Sequence, residues 1–217
     1  MSVVKIFTSI LFCSSLLFAC NNETSTVKSF GKIEQKNHNL QARMLKKSLE
    51  KNNVELINSS SEIFSLKRDT EKQVTLIMMG YASCPDICPM HLSVLAGAYN
   101  NLPLNMQRNT KIIFISADPY RDKQKITDWV KNFHQDFIGL TGTEQNLIYF
   151  QEQLRLPPAV LVKENADQEN YAVSHASYIT VFTKDNLAHF IYPLGITQRE
   201  WVADLKLLHE DKWEIYK

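Results

Sequence analysis

The chain has 217 residues, with 24 basic and 23 acidic side chains and a formal net charge of +1. Hydrophobic residues make up 44% and charged residues 22%, which is typical of a globular protein and excludes a disordered chain. The near-neutral balance argues against nucleic acid as a partner, because phosphate binding normally needs a clear basic excess.

The N-terminus has the pattern of an export signal. A single Lys5 precedes an apolar stretch over residues 6–19, which suits a signal-peptide core and is shorter than the ~20 residues of a membrane-spanning helix. Ala19 directly before Cys20 resembles the lipobox of bacterial lipoproteins, in which cleavage before the cysteine leads to its lipidation. We therefore expect residues 1–19 to be a lipoprotein signal peptide. Lipid on Cys20 would hold the exported chain at a membrane, facing the periplasm or the outer face of the cytoplasmic membrane. Plain secretion with cleavage near Ala19 is the alternative.

Residues 20–53 are rich in polar side chains and are expected to form a tether. Within this segment, apolar residues recur at helical spacing and predict an amphipathic helix over part of it, whose apolar side would pack on the folded domain. These residues are Leu40, Met44, Leu45 and Leu49. The folded domain is then expected over residues 54–217, without an internal repeat or a second domain.

Beyond residue 54, short apolar strands alternate with helices. Strands are predicted at Val74–Met79, Lys111–Ala117, Ala159–Val162, Tyr178–Phe182 and Ala188–Tyr192, with a hairpin turn at Asp185–Asn186. Helices are predicted over Pro89–Leu102, Lys123–Phe133 and Glu144–Leu154, and after Thr197, which begins a capping box with Glu200. Continuous apolar strands indicate a sheet covered on both faces by helices, which is an α/β architecture. A strand, a cysteine-containing loop and a helix near the start, with a hairpin and a helix near the end, predict a thioredoxin-like fold with a central mixed sheet.

Two cysteines remain in this domain, and they lie close together. Cys84 and Cys88 follow the Val74–Met79 strand and precede a helix, whose N-terminus favours thiolate over thiol. A structural disulfide here would close a very short loop and so stabilise little. Structural zinc needs about four protein ligands. Dithiol redox chemistry remains open, and Cu(I) fits because it is soft and prefers thiolate ligands.

The stretch Gly80–Pro89 (GYASCPDICP) resembles the copper-binding motif of the Sco/SenC family, which comprises thioredoxin-like, membrane-tethered copper chaperones of cytochrome c oxidase assembly. Two later stretches are similar to the same family and occur in the same order. They are DPYRD at 118–122 with FHQDFIGLTG at 133–142, and YAVSHASY at 171–178.

The resemblance implies that Cys84, Cys88 and His175 are the ligands of copper, as Cu(I) and also as Cu(II). Two thiolates and one imidazole form a trigonal set that suits this metal. The same two cysteines would form a redox disulfide whose formation abolishes binding, so a thiol reductant is an expected partner. Asp86 and Asp118 are expected close behind the ligands. His91 is expected at the surface, although with Met90 it could add a ligand.

The sequence therefore predicts a membrane-anchored copper carrier, closer to a non-enzymatic metallochaperone than to an enzyme. By the resemblance, it would deliver copper to the dinuclear site of cytochrome c oxidase subunit II, or prepare the cysteines of that site or of a similar client. The alternative is a thiol–disulfide oxidoreductase that acts on exported client cysteines without a metal and does not need His175. A non-catalytic lipoprotein adaptor, which would need neither cysteine, is the third class.

Overall fold

The computed structural model describes residues 40–162 and 171–216. The expected signal peptide, Cys20 and the expected tether as far as residue 39 lie outside the described residues. The strands are, in chain order, β1 (Arg43–Glu50), β2 (Glu55–Ile57), β3 (Ile63–Ser65), β4 (Val74–Gly80), β5 (Thr110–Ser116), β6 (Ile138–Leu140), β7 (Val160–Val162), β8 (Ala172–Ser174), β9 (Ile179–Phe182) and β10 (Leu187–Tyr192). The helices are α1 (Leu66–Asp69), α2 (Ile87–Asn100), α3 (Leu104–Arg108), α4 (Pro119–Asp122), α5 (Ile126–Lys131), α6 (Glu144–Gln153) and α7 (Gln198–His209), followed by a 3₁₀ turn at Lys212–Tyr216.

Six strands form the central sheet, in the order β1-β10-β9-β4-β5-β6. β4, β5 and β6 run parallel, whereas β9, β10 and β1 continue the sheet by antiparallel pairing. The sheet is therefore mixed, as predicted. The parallel strands β4 and β5 end at the same edge, so the loops that follow them lie side by side.

Helices cover both faces of this sheet. Every residue of β4 is buried, because successive side chains of a strand point to opposite faces and both faces here are packed. On one face Leu76, Met78, Ile112 and Phe114 pack with α2, α5 and α7. On the other face Ile77, Met79, Ile113 and Ile115 pack with α6 and the β2–β3 hairpin.

The amphipathic helix predicted from Leu40 to Leu49 is wrong, because this segment contains β1. The strand pairs with β10 at the edge of the sheet, and its register shifts between Met44 and Leu49. Leu49 is buried, and the Lys51 ammonium that follows donates to Thr70 O at 2.7 Å. Pairing and burial supplied by distant strands outweigh the local helical spacing. The sheet therefore includes residues that were assigned to the tether.

Other predictions differ from the structure in detail. The predicted strand near Ala159 forms as β7, but it pairs with β8 in a separate two-stranded sheet. The helix predicted over Lys123–Phe133 forms as the shorter α5, Ile126–Lys131, and the separate short helix α4, Pro119–Asp122, precedes it. The hairpin turn and the capping box at Thr197 form as predicted, with Asn186 at a φ of 64°. Within the described ranges, no helix has the length and apolar character needed to cross a bilayer.

Candidate metal centre

The cysteine loop leaves the carboxyl end of β4 and enters α2. The amide of Cys84 donates to Tyr81 O at 3.1 Å, which closes a turn before the helix. Cys84 is partly exposed, whereas Cys88 lies buried in the first turn of α2. Asp86 is exposed at the N-cap position, and its carboxylate makes no capping hydrogen bond. Asp86 therefore supplies negative charge at the helix N-terminus and does not fix the cysteine loop.

Gly80 explains how the Cys88 sulfur reaches the end of the strand. A Cβ atom at this position would lie 2.5 Å from Cys88 Sγ and 2.8 Å from the Phe114 ring. Real Cβ atoms do not approach other atoms so closely, and neither neighbour belongs to a flexible surface chain. A glycine is therefore required here for the sulfur to pack against the sheet.

His175 approaches the two sulfurs from the segment between β8 and β9. Its Nε2 lies 3.7 Å from Cys88 Sγ, and the ligand atoms of Cys84, Cys88 and His175 all lie within 4.8 Å of one another. Sulfur and nitrogen ligands that bind a metal at about 2.0–2.3 Å stand about 3.5–4 Å apart in a trigonal arrangement. The observed spacing is close to what a shared ion requires.

A hydrogen bond fixes which imidazole nitrogen faces the sulfurs. Nδ1 of His175 lies 2.9 Å from the carbonyl oxygen of Ala176. A carbonyl oxygen only accepts, so Nδ1 carries the proton and donates it. In the neutral imidazole this leaves the Nε2 lone pair on the side of Cys88, as a metal ligand needs.

The donor set determines which metals fit. Among the described residues, the cluster contains two cysteines and one histidine, with no fourth His, Cys, Asp or Glu. Structural zinc sites generally use four protein ligands, and hard ions such as Mg²⁺ prefer oxygen. Two thiolates and an imidazole suit a soft ion of low coordination number, of which Cu(I) is the main biological example.

Burial raises the pKa of the Cys88 thiol well above its usual value, and a hydrogen bond from the Tyr81 backbone offsets this only in part. At this residue the desolvation outweighs the helix N-terminus, which the sequence had suggested would favour thiolate. When no cation is bound, the raised pKa favours the neutral thiol of Cys88 over the thiolate. A bound cation must displace its proton.

Aromatic and charged side chains lie next to the three ligands. The Tyr81 ring meets the His175 ring edge to face, with centroids 5.9 Å apart. The Arg121 guanidinium lies 3.6 Å from the centroid of Tyr171 and 5.6 Å from that of Tyr81. Arg121 therefore links the cysteine loop to the residue that immediately precedes β8.

Asp118 holds this arginine and does not touch the ligands themselves. Its buried carboxylate forms an ion pair with Arg121 Nε and accepts a hydrogen bond from the Tyr171 hydroxyl at 2.9 Å. The sequence did not identify Asp122, which lies in the same DPYRD stretch. The buried Asp122 carboxylate accepts from the Ala82 amide at 2.7 Å and from the Ser116 hydroxyl at 2.6 Å. Asp122 thereby ties the cysteine loop to the end of β5.

The surface position expected for His91 is wrong. The side chain is 6% exposed and lies near enough to His175 for the two imidazoles to interact electrostatically. Burial lowers the pKa of His91, with a smaller contribution from His175. This part of α2 and the segment that follows β10 line one cleft, a tertiary arrangement that the local sequence does not indicate.

Comparisons with known proteins agree with this geometry. The SCO1/SenC family model matches residues 42–210. The SCO2-like protein RP587 of Rickettsia prowazekii is 34% identical over 151 residues, which are 67% of this chain and 70% of that protein. The apo Sco1 structure from Thermus thermophilus superposes with a TM-score of 0.67 at 24% identity, over 78% of this chain and 96% of that one. Copper-bound ScoI from Bradyrhizobium japonicum gives a TM-score of 0.64 at 24% identity, over 75% and 98%. These neighbours share the thioredoxin-like fold with this protein, and the chain belongs to the SCO1/SenC family.

Proposed function

We propose that this protein carries one copper ion at Cys84, Cys88 and His175. The observation that carries the proposal is the convergence of two sulfurs and Nε2 within 4.8 Å at one edge of the sheet. The copper-bound state of the Bradyrhizobium japonicum neighbour supports the choice of metal. Copper is the cargo here, and the protein supplies its ligands.

The exposure of the three ligands determines from which side copper can be transferred. Cys84 and His175 are partly exposed and Cys88 is buried, so an incoming client sulfur reaches the ion from the side of Cys84 and His175. Each new bond to the client can then replace one bond to this protein, without release of a free ion. We propose as client the dinuclear copper site of cytochrome c oxidase subunit II, or a similar pair of exported cysteines.

Copper titration tests the binding site directly. The reduced domain should bind one equivalent of Cu(I) and of Cu(II), and His175→Ala should weaken Cu(II) binding at least tenfold, which is about 1.4 kcal/mol. His134→Ala is the matched control, because His134 packs against Tyr99 and Phe137 on another loop. Equal loss of affinity in both variants, or none in either, would contradict the assignment of His175.

A thiol–disulfide oxidoreductase is the second candidate, favoured by one partly exposed and one buried cysteine whose sulfurs are adjacent. Cys84 would attack a client disulfide and form a mixed disulfide, and one client thiolate would leave. Cys88 would then attack the Cys84 sulfur and release the second client thiol. The client is reduced, the Cys84–Cys88 pair is oxidised, and an external dithiol must restore it. Reductase activity that is undiminished in His175→Ala, together with no retained copper, would favour this candidate.

We also propose that the chain is exported and anchored by lipid on Cys20. The support is the sequence pattern at residues 1–20 alone. Labelling of growing cells with a radioactive fatty acid should mark the wild-type protein and not Cys20→Ser. Cys13→Ser is the control, because cleavage would discard that residue. A label that persists in Cys20→Ser would refute the anchor.

A further inference from the structure

The position of His175 depends on what holds β8, the strand that ends directly before it. In the described part of the chain, β8 pairs with β7 in a separate two-stranded sheet, and all three residues of β7 are exposed. Pairing with β7 therefore does not join β8 to the central sheet. On the other side of His175, the buried Ala176 leads into β9, so this side of the loop is already fixed by the core.

Tyr171, which immediately precedes β8, contacts the loop that follows β5. The Arg121 guanidinium lies 3.6 Å from the centroid of the Tyr171 ring, where a cation over an aromatic face is attracted. The Tyr171 hydroxyl donates to the buried Asp118 carboxylate at 2.9 Å, and the same carboxylate forms an ion pair with Arg121. Tyr171 is therefore held through its ring and through its hydroxyl.

Tyr81 connects these contacts to the copper ligands. Its ring centroid lies 5.6 Å from the Arg121 guanidinium, and the ring meets that of His175 edge to face with centroids 5.9 Å apart. The Tyr81 hydroxyl also has a hydrogen-bonding contact with the backbone of Val173 in β8. Since Tyr81 belongs to the cysteine loop, one set of side chains joins that loop to β8. We call Tyr81, Asp118, Arg121 and Tyr171 the arginine clamp.

We propose that Arg121 and Tyr171 are positioning residues for copper binding, because their stack holds β8 where His175 Nε2 can reach the ion beside Cys88. The proposal rests on the copper function proposed above and assigns part of it to residues that do not bind the metal. Cu(I) is soft and is satisfied by two thiolates, whereas an imidazole ligand adds more to the binding of Cu(II). Loosening the arginine clamp therefore weakens Cu(II) binding more than Cu(I) binding.

The substitution Tyr171→Leu tests the clamp, because it removes the ring and keeps both members of the Asp118–Arg121 ion pair. In the reduced protein, the affinity for Cu(II) should fall about fivefold, as expected for the loss of one such contact, and the affinity for Cu(I) should fall less. Pulsed EPR should detect a smaller fraction of Cu(II) with a bound imidazole nitrogen. Tyr171→Phe keeps the stack and should retain most of the affinity. Tyr149→Leu, at an exposed tyrosine of α6, is the matched control and should change neither affinity.

A double-mutant cycle separates positioning of His175 from a general loss of structure. In the His175→Ala background, adding Tyr171→Leu should cause no further loss of Cu(II) affinity, because the ligand that the arginine clamp positions is already absent. Arg121→Lys keeps the charge but not the planar group, and it provides the same cycle if Tyr171→Leu does not fold.

Two results would overturn the positioning role. One is equal Cu(II) affinity of Tyr171→Leu and Tyr149→Leu, and the other is a loss in the cycle that adds to the effect of His175→Ala. A Cu(II) affinity that is the same in the wild type and in His175→Ala would instead refute the copper site itself, and the positioning role with it.

Discussion

The pH dependence of stability offers a quantitative test of the core around α7. Asp204 is a buried carboxylate on α7, and its Oδ2 accepts the Gln41 amide at 2.7 Å, beside the hydroxyl of Tyr192. Burial is the largest influence and raises the pKa of Asp204 to about 6, from 3.8. The substitution Asp204→Asn keeps an oxygen acceptor for the Gln41 backbone amide and removes the charge.

The sign follows from the direction of the shift. A folded state with the higher pKa binds the proton more tightly than the unfolded chain. The stability from this group is therefore fully present below about pH 4 and is lost as the pH rises past about 6. A shift of about two pKa units corresponds to about 3 kcal/mol. The wild type should lose this amount, relative to Asp204→Asn, between pH 4 and pH 8.

Urea unfolding followed by tryptophan fluorescence at several pH values measures this difference. Asp128→Asn on the exposed side of α5 controls for the removal of one carboxylate elsewhere. We expect the free energy of unfolding of the wild type, relative to that of Asp204→Asn, to fall between about pH 4 and pH 6 and to level off at higher pH. Parallel stability curves for these two proteins between pH 4 and pH 8 would refute the reasoning.

Three further substitutions test other parts of the structure. Gly80→Ala places a Cβ 2.5 Å from Cys88 Sγ, so the affinity for Cu(I), measured by chelator competition, should fall at least tenfold while the circular dichroism spectrum is unchanged. An unaltered affinity would contradict the close packing of the Cys88 sulfur against Gly80. Arg121→Lys loses the planar group that lies 3.6 Å from the centroid of the Tyr171 ring, so hydrogen exchange of the backbone amides in Ala172–Ser174 should accelerate. Equal exchange rates in the wild type and the variant would exclude a role for Arg121 in holding β8. Burial lowers the pKa of His209 to about 4, with a smaller contribution from the Lys184 charge. The wild type should therefore lose roughly 1–2 kcal/mol relative to His209→Gln as the pH falls from about 6.5 to about 4, because solvent screens part of the effect at this partly buried side chain. The absence of such a loss in denaturant titrations would contradict a partly buried, neutral imidazole.

The best-predicted parts of the molecule are those whose signal is local. β4 and β5 are continuous apolar runs, and the turn at Asp185–Asn186 and the capping box at Thr197 have their own residue chemistry. The position of the two cysteines at a strand end followed directly from such elements. Strands of three residues, such as β6 and β8, carry no periodicity to detect and depend on their partners.

The parts of the structure that the sequence does not predict depend on contacts between distant segments. Leu40 to Leu49 satisfies a helical pattern, yet pairing with β10 makes part of it a strand. His175 lies 87 residues from Cys88, so their meeting is predicted by the family resemblance and the thioredoxin-like layout, and not by local spacing. The burial of His91 and the hydrogen bond from the Ala82 amide to Asp122 likewise have no cause in the local sequence.

The two sulfurs and the imidazole come from separate parts of the backbone, and this has a consequence for the order of transfer. Both cysteines belong to one short stretch held by the sheet and by Asp122, whereas His175 is carried by the chain after β8. A small displacement of His175 alone would therefore detach one ligand and leave both sulfurs bound to the metal. For the copper transfer proposed above, this places release of the nitrogen first, with both thiolates holding the ion until a recipient occupies the free coordination position.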